Sequence, residues 1–168
     1  MVEDDVLACL DLDPGYCTDG VWQLERHDWG DETSLRLRPA TLPRPRNIDG
    51  FPIEPPLDER LERASLALLL EDAQIVAYIL LREDHRCASV DMLVVDQAWR
   101  RLGLGARLLG EARDWARRRG YRILEATVEA RNYPAIRFLH RQGFTIRGVR
   151  DVVGRDDEVT LILAGSAG

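Results

Sequence analysis

The chain contains no lysine. All 23 of its basic residues are arginine. We read this as a compositional bias, and it removes two classes of chemistry. No Schiff-base lysine exists, and neither does the lysine of a P-loop. Cysteine is scarce: Cys9, Cys17 and Cys87 are odd in number and form no CxxC pair, so they give neither a disulfide framework nor a zinc site. The histidines His27, His85 and His140 are scattered without an HxxxH pair, and no metal is expected. No apolar run approaches the roughly 18 residues that span a bilayer, so no membrane partner is expected. The acidic start, Met1 to Asp5, lacks a positively charged leader ahead of an apolar stretch, which makes a cytoplasmic location the expectation. A net charge of -6 argues against nucleic acid as the main partner.

What is present falls into two parts, residues 1–63 and 64–168, within one structural domain. The first part is an N-terminal extension. Residues 1–19 read as irregular, with a turn at Pro14-Gly15. Val21–Asp28 and Ser34–Arg38 read as strands around the turn-like cluster Trp29-Gly30-Asp31-Glu32. The stretch Pro39 to Pro56 holds six prolines and reads as a wrapped loop, followed by a short helix at Asp58–Arg63.

From Ala64 the pattern changes. Ser65–Glu71, Gln74–Arg82 and Ser89–Val95 read as strands, the first two joined by a tight turn at Asp72-Ala73. A helix is expected over Gly103–Arg119, because Leu104, Leu108, Leu109, Ala112, Trp115 and Ala116 recur at three and four residues. Ile123–Val128 is the next strand. A second helix, Tyr133–Gln142, has Asn132 as its N-cap, Pro134 in its first turn and Gly143 as its stop. Phe144–Arg147 and Glu158–Leu163 close the chain as strands, expected to form a hairpin across Gly154.

The segment Arg100-Arg101-Leu102-Gly103-Leu104-Gly105 runs from a valine-rich strand into the first long helix. Two glycines one residue apart let backbone N–H groups turn inward. With the helix N-terminus they make a place for phosphate oxygens. Arg100 and Arg101 can add charge-assisted hydrogen bonds. A dinucleotide fingerprint would need a third glycine where Leu108 stands. The bland alternative is a tight strand–helix connection and nothing more.

Together, Arg100-x-x-Gly103-x-Gly105 and, 27 residues further on, Asn132-Tyr133-Pro134-Ala135 through Leu139 to Gly143-Phe144 resemble the two conserved stretches of the GNAT superfamily of N-acetyltransferases. The resemblance covers about residues 64–163. Residues 88–148 are also similar to the streptothricin-type acetyltransferases within that superfamily. The resemblance implies a mixed α/β fold: a strongly twisted mixed sheet with helices on both faces and two parallel strands that splay apart. It implies acetyl-CoA as cosubstrate. Backbone groups of Leu93, Val94 and Val95 would meet the pantetheine arm, an N–H near Val94 would stabilise the oxyanion, Arg100 to Gly105 would hold the pyrophosphate, and Asn132 would add a contact. Dimerisation is common in the family and is an expectation here.

The reaction implied is attack of an amine on a thioester carbonyl. An alkyl ammonium with a pKa of about 10.4 must first lose a proton. The candidates are Asp91, Glu125 and Glu129: Asp91 is the first candidate base, or else a polar strand residue paired with an arginine, and Glu125 is the alternative; Glu125, Thr127 and Glu129 share one strand face. Where relatives have a catalytic glutamate this chain has Thr127, and where they have a tyrosine acid it has Leu139. Tyr16 or Tyr78 would have to come from elsewhere. Tyr16, Trp22, Trp29, Arg36, Arg38 and Phe51 are candidates for the acceptor side or for packing. The functions that remain are acetylation of a small-molecule primary amine, acetylation of a peptide N-terminus, and a non-catalytic CoA sensor.

Overall fold

In a computed structural model of the chain, residues 3–49, 56–71, 74–151 and 159–168 are described. The expected turn at Asp72-Ala73, Gly154 and Phe51 lie outside them. The elements are α1 (Glu3–Leu10), β1 (Tyr16–Trp29), β2 (Glu32–Ile48), α2 (Leu57–Arg63), β3 (Leu66–Glu71), β4 (Ile75–Glu83), β5 (Ala88–Val95), α3 (Leu104–Arg118), β6 (Ile123–Glu129), α4 (Tyr133–Arg141), β7 (Thr145–Asp151) and β8 (Val159–Ser166).

Six strands form one sheet in the order β3-β4-β5-β6-β8-β7. Every neighbouring pair is antiparallel except β5 and β6. Helices cover both faces. On one, Leu108, Leu109, Ala112, Trp115 and Ala116 of α3 and Ile136 and Leu139 of α4 pack on Ile79, Leu81, Leu124, Ala126, Leu161 and Leu163. On the other, Cys9 and Leu12 around α1 and Leu57 of α2 pack on Tyr78, Leu80 and Val94. Covered on both sides, β4 is buried from Ile75 to Leu81, which is why it reads as an unbroken apolar run. The mixed sheet with helices on both faces is the architecture expected from the sequence.

The N-terminal part departs from its sequence reading in two places. Glu3–Leu10 is a helix, where an irregular segment was expected. Eight residues with three acids do not hold a helix alone; burial of Cys9 and Leu12 against β4 and β5 supplies what local propensity lacks. The second correction concerns the prolines. The strand pair is a long antiparallel hairpin that continues through Pro39, Pro43 and Pro45 to Ile48. Pro39 sits opposite Trp22, whose own N–H points away from β2 and bonds the Ala130 carbonyl at 2.9 Å. At such a non-bonded pair the missing proline N–H costs nothing. Pro43 and Pro45 fall where the register breaks, between Thr18↔Arg46 and Gly20↔Thr41.

The hairpin docks on the body through close backbone packing. A side chain at Gly20 would put its Cβ 2.8 Å from the Tyr133 ring of α4, so only glycine admits this approach.

Candidate active site

β5 and β6 pair in register only from Ala88↔Leu124 to Val90↔Ala126. Beyond that point they part, leaving a gap along the last five residues of β5. The hydrogen-bonding direction of β5 follows from its far end. The Asp96 N–H bonds the Val76 carbonyl at 2.9 Å. In an antiparallel ladder the bonding residues alternate, so Val94 and Met92 also bond towards β4. Leu93 and Val95 then turn their backbone groups into the gap. The sequence expectation gave the oxyanion donor to the neighbourhood of Val94. The ladder spends the N–H of Val94 on β4 and leaves that of Leu93 open.

The next turn carries the glycine loop. A short 3-10 turn at Gln97–Trp99 is capped by the Asp96 carboxylate, which accepts from the Ala98 N–H. Arg101 and Gly103 then take positive φ of 68° and 86°. These left-handed residues turn the chain into α3, whose first closed hydrogen bond runs from the Arg107 N–H to the Gly103 carbonyl. The N–H groups of Leu104, Gly105 and Ala106 are therefore open, as at any helix start. They face the positive end of the α3 dipole, a setting that favours an anion. Arg101 and Leu102 are exposed beside them.

Arg100 is placed differently from the sequence expectation. Its guanidinium donates to three carbonyls: Nε to Val95 at 2.9 Å, one Nη to Gly15 at 2.7 Å and the other to Asp13 at 2.8 Å. It staples the α1–β1 connector to the exit of β5 and is not aimed at the helix N-terminus. Asn132 caps α4, its side-chain oxygen accepting from the Ala135 N–H at 3.1 Å.

Asp91 sits in a β-bulge. Leu80 opposes Met92 and Leu81 opposes Val90, so Asp91 is the extra residue on β5. Its side chain is 7% exposed and turned to the face that carries α2. There Arg60 of α2 meets one carboxylate oxygen at 3.1 Å and Arg82 of β4 meets the other at 2.9 Å. On β6, Leu124 and Ala126 belong to the core, so Glu125, Thr127 and Glu129 share the face of Asp91. Glu129 is paired with Arg131 at 2.8 Å. Glu125 has no ion pair among the described residues. Burial, then the charges of Glu125 and Asp84, push the Cys87 thiol up.

Leu139 is 4% exposed and belongs to the core between α4 and the sheet. Tyr16 is the aromatic brought to the gap. Its buried O–H finds no acceptor among the described residues, while the Arg131 guanidinium stands at its oxygen. Burial and the nearby Glu129 push its pKa up to about 12, while Arg131 pulls the other way. Tyr78, by contrast, is packed in the core under α1 and α2 with Leu57, Leu80 and Val94. Trp22 Nε1 is buried without a partner among the described residues, and Trp29 stands exposed at the hairpin tip. The sequence offered an arginine partner as the alternative role of Asp91 without saying which; the fold supplies Arg60 and Arg82 from two other elements.

The site is thus a parallel pair that opens into a gap, with the Leu93 backbone turned into it and a helix N-terminus at its end. The chain belongs to the acetyltransferase (GNAT) family, whose profile matches residues 21–144. Its fold superposes on nourseothricin acetyltransferase with a TM-score of 0.83 and 26% identity, over 100% of this chain and 96% of that one. A Bacillus anthracis (strain Ames) protein assigned as a streptothricin acetyltransferase, crystallised with acetyl coenzyme A, gives a TM-score of 0.76 at 19% identity over 99% of this chain and 96% of that one. An uncharacterised N-acetyltransferase of Methanocaldococcus jannaschii is 37% identical over 62 residues, which are 37% of this chain and 27% of that relative. The cosubstrate of this family is acetyl-CoA, and the residues present fit it: an open backbone edge for the pantetheine amides and open N–H groups for the pyrophosphate. No helix among the described residues is long and apolar enough to cross a membrane.

Proposed function

We propose that this protein acetylates a primary amine of a small cationic molecule of the streptothricin kind, using acetyl-CoA. One observation carries the substrate class. The likeness to nourseothricin acetyltransferase, at 26% identity, runs through the whole chain, α1 and the β1–β2 hairpin included. Those are the elements that stand beside the open end of the gap, through Gly15 and through the Trp22–Ala130 hydrogen bond.

The chain's own residues divide the work. Acetyl-CoA supplies the activated acyl group. Backbone groups of Leu93 and Val95 would hold the pantetheine arm, and the N–H groups from Leu104 to Ala106 the pyrophosphate. The Leu93 N–H would donate to the carbonyl oxygen as charge grows there. Asn132 would bring its amide NH2 to the same cofactor. The base is a carboxylate on the Asp91–Glu125 face. Asp91, the first candidate from the sequence, has both oxygens engaged by guanidinium groups. Glu125 is free of such pairs, stands one residue before the strands part, and is the carboxylate we assign to take the amine proton, directly or through water.

The test is thiol release and product mass over an amine panel: nourseothricin, an aminoglycoside, a polyamine and a peptide with a free N-terminus. Acetylation of nourseothricin ahead of the others is the expected result. Preferential acetylation of the peptide would replace the small-molecule reading. Binding of acetyl-CoA with no turnover on any amine would make the protein a sensor.

A further inference from the structure

Transfer of an acetyl group leaves negative charge on sulfur, and Leu139 of α4, apolar and buried in the core, cannot meet it. The structure brings one other group to the place. Gly15, the residue before Tyr16, accepts from the same guanidinium that bonds the Val95 carbonyl, so the backbone there lies at the exit of β5. Leu12 in the same connector packs in the cluster that holds Val94. The hydroxyl, at the other end of the side chain, lies near Glu129 and Arg131 at the exit of β6. Tyr16 therefore reaches from one splayed strand towards the other, across the mouth of the gap. Arg131 can only donate to its oxygen, so the buried O–H has no acceptor among the described residues. A buried hydroxyl left unsatisfied is destabilising, and a fold that keeps one at such a place has a donor ready for a ligand.

We propose that Tyr16 is a catalytic residue: its O–H donates a hydrogen bond to the departing sulfur and keeps its proton throughout. The inference rests on the acetyltransferase reading above. The balance is as follows. The amine nitrogen forms the new C–N bond, and the C–S bond breaks with its electron pair passing to sulfur. The proton lost by the amine goes to Glu125 and from there to solvent. The sulfur leaves as thiolate, hydrogen-bonded by Tyr16, and is protonated from water. Full transfer from Tyr16 is disfavoured. A thiol pKa of about 8.5 lies well below a phenol raised to about 12, a difference of roughly a thousandfold or more. The same value keeps the phenol protonated at any working pH.

The test is Tyr16→Phe, which removes the hydroxyl and keeps the ring. Three readouts are compared with wild type: the melting temperature of the ligand-free protein, kcat and KM for acetyl-CoA with the best amine of the panel, and the pH profile of kcat. We expect the melting temperature to stay level, because the O–H removed has no acceptor among the described residues of the ligand-free protein. We expect kcat to fall about 10–100-fold, the worth of a hydrogen bond to a charged acceptor. KM for acetyl-CoA should stay within about threefold, and the wild-type profile should show no descending limb below about pH 11. A variant with kcat within twofold of wild type overturns the proposal. So does a lower melting temperature with activity regained on cooling, which would make Tyr16 a packing residue, and so does a rise in KM at constant kcat. Absence of thiol release by wild type on every amine overturns the proposed function and this inference with it. Wild-type turnover with an unaffected variant overturns this inference alone.

Discussion

Replacing Arg100 by glutamine separates two roles that the sequence cannot tell apart. Arginine next to a phosphate-binding loop suggests a phosphate ligand. The structure gives its guanidinium to the carbonyls of Val95, Gly15 and Asp13. Hydrogen bonds with a charged partner are worth about 1.5–3 kcal/mol each when buried. The bonds to Val95 and Gly15 are partly buried and the bond to Asp13 is exposed, so the low end applies. We expect Arg100→Gln to cost about 2–4 kcal/mol, which at about 2–4 °C per kcal/mol for a chain of this size is a fall of about 4–16 °C in melting temperature. Arg100→Lys should recover part of this, because an ammonium lacks the planar fork that reaches three carbonyls. Acetyl-CoA affinity, measured by calorimetry at about 150 mM salt, should weaken by less than about fivefold if backbone N–H groups hold the pyrophosphate as proposed. Urea unfolding gives the stability term independently. An unchanged melting temperature with affinity reduced more than about tenfold would refute the argument and return the guanidinium to the phosphates.

Three other outcomes follow from the geometry. Gly103→Ala should cost about 1–2 kcal/mol of unfolding free energy purely from its φ of 86°, since nothing lies within 4 Å of the added Cβ. Gly105→Val should cost about 1–3 kcal/mol by crowding, its Cβ starting 3.4 Å from the Phe138 ring; equal losses at denaturant midpoint from Ala at either position would contradict this division. Glu125→Gln should lower kcat about 10²–10⁴-fold with an unchanged melting temperature. Asp91→Asn should instead lower the melting temperature by loosening α2 from β5, and the reverse pattern would make Asp91 the base. Stability should also fall in alkali. Burial raises Cys9 to about 11 and Tyr16 to about 12, and raises Tyr78 as well. Between the unfolded and folded values the native state binds more protons, so stability is complete below about pH 8.5 and declines as pH rises towards 12. Urea midpoints that stay level from pH 8 to 11 would show that these groups are not buried.

The elements that the sequence determined alone are those whose signals are local. The α3 helix follows from apolar residues at three and four positions apart, and all of Leu108, Leu109, Ala112, Trp115 and Ala116 are buried as that spacing requires. The α4 helix follows from Asn132, Pro134 and Gly143, with Asn132 forming the cap itself. The loop between β5 and α3 carries its meaning in two glycines and in the peptide N–H groups, which need no distant partner. What only the tertiary structure decided are the pairings between residues far apart in the chain. Arg100 meets Asp13 and Gly15 across 87 and 85 positions, and Arg60 meets Asp91 across 31. An arginine carries five donors and is silent about its acceptor until the fold supplies one. The same holds for α1, formed because β4 and β5 receive Cys9 and Leu12, and for β2, whose prolines are admitted because the register breaks around them. Backbone geometry at the loop was written in local sequence; the surroundings of side chains such as Tyr16, buried near Glu129 and Arg131, were decided by packing.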